Sequence, residues 1–391
     1  MRRGNAIQKL GACGVLALWL AGAWAQADPN VAQTPGSEPG NEAGNEPLAP
    51  YSAPYTQPAQ PWGQGLSSLL HLDAEALGVV GGRGARRPLA VAAVQAGLSL
   101  DTEQAGWWRQ GQFDLMLMGL RASGNLPQRS GDVQLPTSLW APDFLRVYQA
   151  SYRQGSSSAF VQGGVMDLAN QFNVTEVAGH LHNASFGSTP TLTENARLAT
   201  FPNPGLAMVA GADLGRGWSA QAGLWQGNPP AGTGALRGAL FMAEAARDFG
   251  GADGAGGVDA DDAAHADDAA AGIKTGTTLK LGWWQHRLQG TAGASGPYGI
   301  AQHSWRDEAR RLWSLFAQAG RAPQAASMVR SYLGAGARVR GLFAARPADV
   351  LPLGVAQVRQ PLQRAETVWE LVYSTELAPH VYVQPDLQYI T

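Results

Sequence analysis

Arg330, Arg338 and Arg340 crowd one segment, Glu366, Glu370 and Asp386 fall near the C-terminus, and Glu244 lies three residues before Arg247. A guanidinium is a fixed fan of donors and a carboxylate is an acceptor, so a wall carrying both can exchange the water around a hydroxyl-rich solute for fixed partners. Lys280 and Gln384 add an ammonium and an amide, and Trp284, Tyr332 and Tyr382 add flat rings against which a C–H face can lie. This is binding chemistry for a polar solute. For each of these residues the plainer role, hydrating a wall and bracing strands by ion pairs, stands beside the binding role.

Bond-breaking chemistry has no comparable constellation. His180-Leu181-His182 offers two metal-type nitrogens, and Asp259, Asp261, Asp262, Asp267 and Asp268 offer oxygens. Calcium loops need fixed ligand spacing around a turning glycine, and that spacing does not occur here. Both groups read as solvated loop residues. Ser295 sits in Gly293-Ala294-Ser295-Gly296 without the wider nucleophile-elbow pattern or a supporting base. No catalytic residue, metal or cofactor is called for. Asn173-Val174-Thr175 and Asn183-Ala184-Ser185 match the glycosylation triplet as formal sites only.

The elements that must hold the charged residues are strands. Side chains of a strand point alternately to its two faces. Trp369, Leu371 and Tyr373 therefore oppose Glu366, Glu370 and Ser374, and Val383, Leu387 and Tyr389 oppose Gln384, Asp386 and Gln388. Likewise Leu279, Leu281 and Trp283 oppose Lys280, Trp284 and His286, while Val329, Leu333 and Val339 oppose Arg330, Tyr332, Arg338 and Arg340. A packed interior does not tolerate Arg330, Arg338, Glu366, Glu370 and Asp386 unpaired, whereas a water-filled lumen does.

Fourteen segments of strand length follow one another: 89–100, 112–122, 143–153, 157–167, 205–214, 217–226, 237–249, 275–286, 288–304, 311–319, 328–342, 353–362, 366–374 and 381–391. Ten residues is the length a tilted strand needs to cross a bilayer. Residues 66–80 read instead as a short helix or plug-like turn. Connections at 154–156, 215–216 and 377–380 are tight, whereas 168–204 and 250–274 are long, which predicts short turns on one rim and long loops on the other.

Met1–Ala27 has Arg2, Arg3 and Lys9, an apolar stretch from Val15 to Leu20 and small residues at Ala23, Ala25 and Ala27, the layout of a secretory leader. Asp28 to Gln60 is rich in Pro, Gly, Glu and Asn and reads as a disordered linker, leaving 61–391 as the β domain. Cys13, the one cysteine, leaves with the leader. Removing the three leader cations from 28 leaves 25 Lys and Arg against 30 Asp and Glu, which suggests no nucleic-acid partner. No apolar run is long enough for a membrane-spanning helix, so an integral protein with this sequence must be a barrel.

The closing stretch Gln384-Pro385-Asp386-Leu387-Gln388-Tyr389-Ile390, the run Phe316-Ala317-Gln318-Ala319-Gly320-Arg321-Ala322-Pro323, Gly341 to Asp349, Leu353-Gly354-Val355-Ala356, Asn183-Ala184-Ser185-Phe186-Gly187 and the strand pair around Glu244 are shared features of a family. From about Gly97 to Ile390 the chain resembles the carbohydrate-selective outer-membrane porins of the OprB type. The resemblance implies a 16-strand transmembrane antiparallel β-barrel and passive diffusion of monosaccharides and other small solutes. Two departures stand out. Residues 250–272 form an expanded Asp, Ala and Gly loop, and family members continue past the equivalent of Ile390 into one more strand. The expected fold is thus an all-β porin barrel lacking its last strand, with residues 382–390 as an unpaired edge.

The resulting expectation is a Gram-negative outer-membrane porin that is not an enzyme, with Glu244, Lys280, Trp284, Arg330, Tyr332, Arg338, Arg340, Glu366, Glu370, Tyr382, Gln384 and Asp386 lining the pore. About 330 residues at roughly 20 to 23 per strand give 14 to 16 strands, a size that encloses an aqueous channel. Partners would be small sugars, outer-membrane lipid and the barrel-assembly machinery, with monomer and homotrimer both open. The alternative is a soluble or surface all-β carbohydrate-binding protein without channel activity. An outer-membrane barrel enzyme requires a nucleophile and base that the sequence does not show.

Overall fold

The computed structural model describes residues 12–18 and 60–61 along the backbone, and 64–81, 87–231, 237–250, 275–288, 290, 293–361 and 365–391 in full. The linker call on 28–60 lies outside these residues except at Gln60, the leader call except at 12–18, and the aspartates of the 250–274 loop lie outside altogether. No helix among the described residues is long and apolar enough to cross a membrane.

Among the described residues, eighteen strands form one antiparallel sheet. They are β1 (Ala12–Leu18), β2 (Gln60–Pro61), β3 (Leu66–Val79), β4 (Leu89–Asp101), β5 (Gly111–Ala122), β6 (Phe144–Gly155), β7 (Ala159–Met166), β8 (Gly205–Gly215) and β9 (Trp218–Gln226). Next come β10 (Ala239–Phe249), β11 (Gly276–Arg287), β12 (Ala294–Arg306), β13 (Leu312–Arg321), β14 (Ser331–Arg340), β15 (Val350–Arg359), β16 (Glu366–Val372), β17 (Thr375–Ala378) and β18 (Val381–Ile390). All fourteen expected strands are present. β2 and β17 are short additions, and sixteen full strands remain.

From β3 to β16 each strand pairs with its sequence neighbour, and β18 pairs with β16. One expectation is corrected here. Residues 66–79 are a strand, because Leu70, Leu72 and Ala74 alternate with His71, Asp73 and Glu75 at the strand period, and the second set is buried. The backbone of β1 lies between β18 and β3 and pairs with both, but β1 falls within the residues read as an export leader, and a mature chain without the leader keeps the expected open edge at β18. Strand edges carry a row of unpaired N–H and C=O groups, and an extended segment between two such edges satisfies both rows.

The burial pattern is the reverse of a soluble sheet. Leu145, Leu281, Leu333, Leu353 and Leu387 face outward and are exposed, while Gln95, Gln162, Gln318, Glu370 and Gln388 face inward and are buried. In water each exposed leucine would forgo about 1.5–3 kcal/mol of burial, a loss that hydrocarbon around the barrel removes.

Successive strands cross in opposite senses, so the connections fall on two rims. One rim, the loop rim, carries 80–88, 123–143, 167–204, 227–238, 288–293, 322–330 and 360–365. The other, the turn rim, carries 102–110, 156–158, 216–217, 250–275, 307–311, 341–349 and 373–380. Three strands separate the long connections 167–204 and 250–275, so the second joins the tight turns, against the expected asymmetry. The Asp248 N–H donates to the Gly217 carbonyl at 2.8 Å, which ties the start of that connection to a two-residue turn.

Candidate pore and its inward loops

Among the described residues, two loop-rim connections enter the barrel. The first, 123–143, opens with α1 (Leu126–Ser130), capped by Asn125, whose side chain accepts the Gln128 N–H at 2.9 Å, and ended by Gly131 in the left-handed region at φ 71°. The second, 167–204, begins with Asp167 accepting the Ala169 N–H at 2.8 Å and contains short 3-10 turns at Leu168–Asn170 and Val177–His180 and the one-turn helix α2 (Pro190–Thr193). Leu168, Phe172 and Leu192 pack with Trp225, Met242, Trp284 and Ile300 of the wall. Val177, Leu181 and Phe186 pack with Phe316, Tyr332, Val358 and Val368.

An irregular backbone inside a barrel must find partners for its own N–H and C=O groups. The wall carboxylates provide them in pairs of consecutive amides. Glu370 accepts from His182 N at 2.5 Å and from Asn183 N at 3.1 Å, and Glu366 accepts from Val133 N at 3.0 Å and Gln134 N at 2.7 Å. Glu244 accepts Asn173 N at 3.1 Å, the Tyr298 hydroxyl at 2.7 Å and Gln221 Nε2 at 3.1 Å. On the donor side, Lys280 Nζ reaches the Val174 carbonyl at 2.9 Å and Glu176 Oε1 at 2.7 Å, and the Tyr332 hydroxyl donates to the Ser185 carbonyl at 2.6 Å.

Burial therefore divides the twelve expected lining residues. Glu370 (1% exposed), Gln384 (1%), Arg338 (2%), Asp386 (4%), Tyr332 (3%), Glu244 (7%) and Trp284 (0%) are enclosed. Lys280, Arg340, Glu366 and Tyr382 are partly exposed. The expectation that charges on the inner face require water around them is corrected, because backbone amides of the inward loops take its place. Arg330 is not part of the inner wall. It precedes β14 and is exposed, whereas Val329 packs inward and its N–H meets Asn195 Oδ1 at 3.3 Å. The alternation of β14 holds only from Ser331.

His180 and His182, read as solvated, are buried and mark an electrostatic boundary. Burial, then Arg338 and Arg340, hold the His180 imidazole well below its ordinary pKa. Burial would also lower His182, but the Glu75 hydrogen bond and the carboxylates of Asp386 and Glu370 outweigh it and push the imidazole up to about 9. One turn of loop thus separates a basic half of the inner wall from an acidic half. Glu75 and Glu176 were not anticipated. The His71/Asp73/Glu75 alternation was a usable signal for the first, and nothing local marks the second.

Facing the turn rim, Ser99, Gln112, Asp114 and Arg153 form a further polar patch on the inner wall. Asp114 Oδ1 accepts from Ser99 at 2.8 Å and Gln112 at 2.9 Å, and the Arg153 guanidinium lies 3.6 Å above the Phe160 ring. Phe160 lies against Gly211, where a Cβ would approach its ring to 2.5 Å. Among the described residues no cluster of His, Cys, Asp or Glu has the arrangement of a metal site.

An outward apolar wall, a polar interior and loops folded inward define an outer-membrane porin. The sequence model for "Carbohydrate-selective porin, OprB family" matches residues 90–391, and the chain belongs to that family. Of solved structures, the high-pH form of Pseudomonas putida OprB aligns over 98% of this chain and 93% of that chain at 15% identity, with a TM-score of 0.63. Its low-pH form aligns over 98% and 91% at 13% identity and 0.47, and a mutant Rh. blastica porin over 98% and 99% at 8% and 0.44. No curated protein matches. The chain is an outer-membrane porin of the carbohydrate-selective class.

Proposed function

We propose that small carbohydrates of monosaccharide size diffuse passively through the lumen, past the inward 167–204 loop, and leave at the turn rim on the periplasmic side. The observation that carries this is the polar inner wall with partly exposed charge beside the loop: Lys280, Glu176, Gln221 and Arg340, followed by Asp114 and Arg153. Sugar hydroxyls both donate and accept, so neighbouring ammonium, amide, guanidinium and carboxylate groups can replace lost water at each step. Glu244, Glu370 and Tyr332 act at one remove, by fixing the 167–204 loop that narrows the passage, Glu366 by fixing the 123–143 loop, and Asp386 through its charge beside His182. Transport down a gradient needs no catalytic step and no cofactor. Met1–Ala27 is the export leader, and barrel-assembly machinery inserts the protein, as a monomer or homotrimer.

Liposomes containing the detergent-purified protein are expected to admit glucose-sized sugars faster than salts of matched size in a swelling assay. Equal exclusion of all these solutes refutes the reading. Protein that stays soluble without detergent and shows no heat-modifiable migration would favour a carbohydrate-binding module instead.

A further inference from the structure

We propose that the outer wall over β8–β11, next to the turn rim, binds one membrane phospholipid, with Arg247 holding its phosphate and an alanine-lined depression holding an acyl chain. The strand register sets Ala212, Ala220 and Ala245 side by side and Ala210, Ala222 and Ala243 in the adjoining row. Leu281 and Trp283 stand at the ends of these rows on β11. Six methyl groups beside two large side chains leave an apolar depression of about 670 Å³ in a surface otherwise covered by Leu, Phe and Trp.

The next row toward the turn rim is Trp218, Arg247 and Leu279. The Arg247 guanidinium lies 4.9 Å from the centroid of the Trp218 ring and 4.6 Å from that of Phe249, so two rings fix a cation at the foot of the depression. Its Nε is buried and has no hydrogen-bond partner. A guanidinium on the lipid face costs about 2–4 kcal/mol at the bilayer midplane and about 0–1 near the interface. A phosphate at headgroup level supplies a bidentate acceptor of opposite charge. A second depression, on β12–β15, provides the contrast. It is lined by Ala301, Ala317, Ala335 and Ala337, but the row below it is Trp305, Trp313, Val339 and Leu351, with no cation. The β12–β15 depression has apolar relief without a fixed charge beside it, and the β8–β11 depression has both. The charge selects a phospholipid over a second copy of the chain, whose matching patch would set one Arg247 against another apolar surface.

The inference does not depend on the route of solute through the lumen. Protein in dodecyl maltoside would be titrated with phosphatidylglycerol, or with diacylglycerol that lacks the phosphate, and bound lipid counted by native mass spectrometry. Heat-modifiable migration would verify folding of every variant. The unaltered protein is expected to retain one phosphatidylglycerol at a concentration where Arg247→Gln retains at least tenfold less. Ala220→Leu combined with Ala245→Leu should lose the lipid with Arg247 still present, and Ala317→Leu in the second depression should keep it. Equal retention by Arg247→Gln, equal retention of diacylglycerol, or an equal loss in Ala317→Leu overturns the proposal. So does a dimer that forms through this face and excludes lipid.

Discussion

Replacing Glu370 by alanine isolates the coupling between wall and inward loop. The carboxylate is 1% exposed and accepts from His182 N at 2.5 Å and from Asn183 N at 3.1 Å. Its removal leaves two amide N–H groups without acceptors in a buried site, at about 1–3 kcal/mol each. It also takes away one of the groups that raise the His182 imidazole above its ordinary pKa. The loss from the two amides together is about 2–6 kcal/mol. At about 1.4 kcal/mol per tenfold, the docked loop becomes at least about 25-fold less favoured relative to released states. Glu370→Gln keeps one acceptor oxygen and should fall between the two. Outside the docked loop the sheet hydrogen bonds are untouched, so heat-modifiable migration should persist. Single-channel recordings in planar bilayers are expected to show higher conductance with frequent transitions, and limited proteolysis should cut within 168–204. Conductance, noise and cleavage indistinguishable from the unaltered protein, for both variants, refute the assignment of Glu370 as the anchor of the loop.

The His182 imidazole makes the same docking pH-dependent. Because its pKa in the folded protein is about 9, above the ordinary 6.5, its contribution is complete below about pH 6.5 and is lost as pH rises through 9. Conductance should rise between pH 7 and 10, and His182→Ala should flatten that profile; a profile unaltered by the substitution removes His182 as its source. Gly354→Val tests packing instead of charge. A Cβ at Gly354 would approach Leu181 Cδ1 and Phe186 Cζ to 2.6 Å, so loop displacement at about 1–3 kcal/mol is expected. Proteolysis within 168–204 faster than in the unaltered protein checks it, and an unchanged rate contradicts the close approach.

The sequence by itself determined the strands and the sidedness of their walls. Alternation is a property of residues two apart, and Leu279, Leu281 and Trp283 needed no tertiary information to be placed opposite Lys280, Trp284 and His286. The same rule misled where no strand exists to apply it, as at Val329 and Arg330, and it was overlooked between Leu66 and Val79. What the inner face does was decided by tertiary structure alone. Val133 N and Glu366 are 233 residues apart, and Asn183 N and Glu370 are 187 apart. Nothing local in either partner signals the other. The rim on which a loop emerges depends on how many strands are crossed before it, which moved residues 250–275 to the side of the tight turns. Whether an inward carboxylate meets water or a backbone amide depends on which loop folds back over it, and that is settled only when the barrel brings distant segments into one enclosed, low-dielectric space.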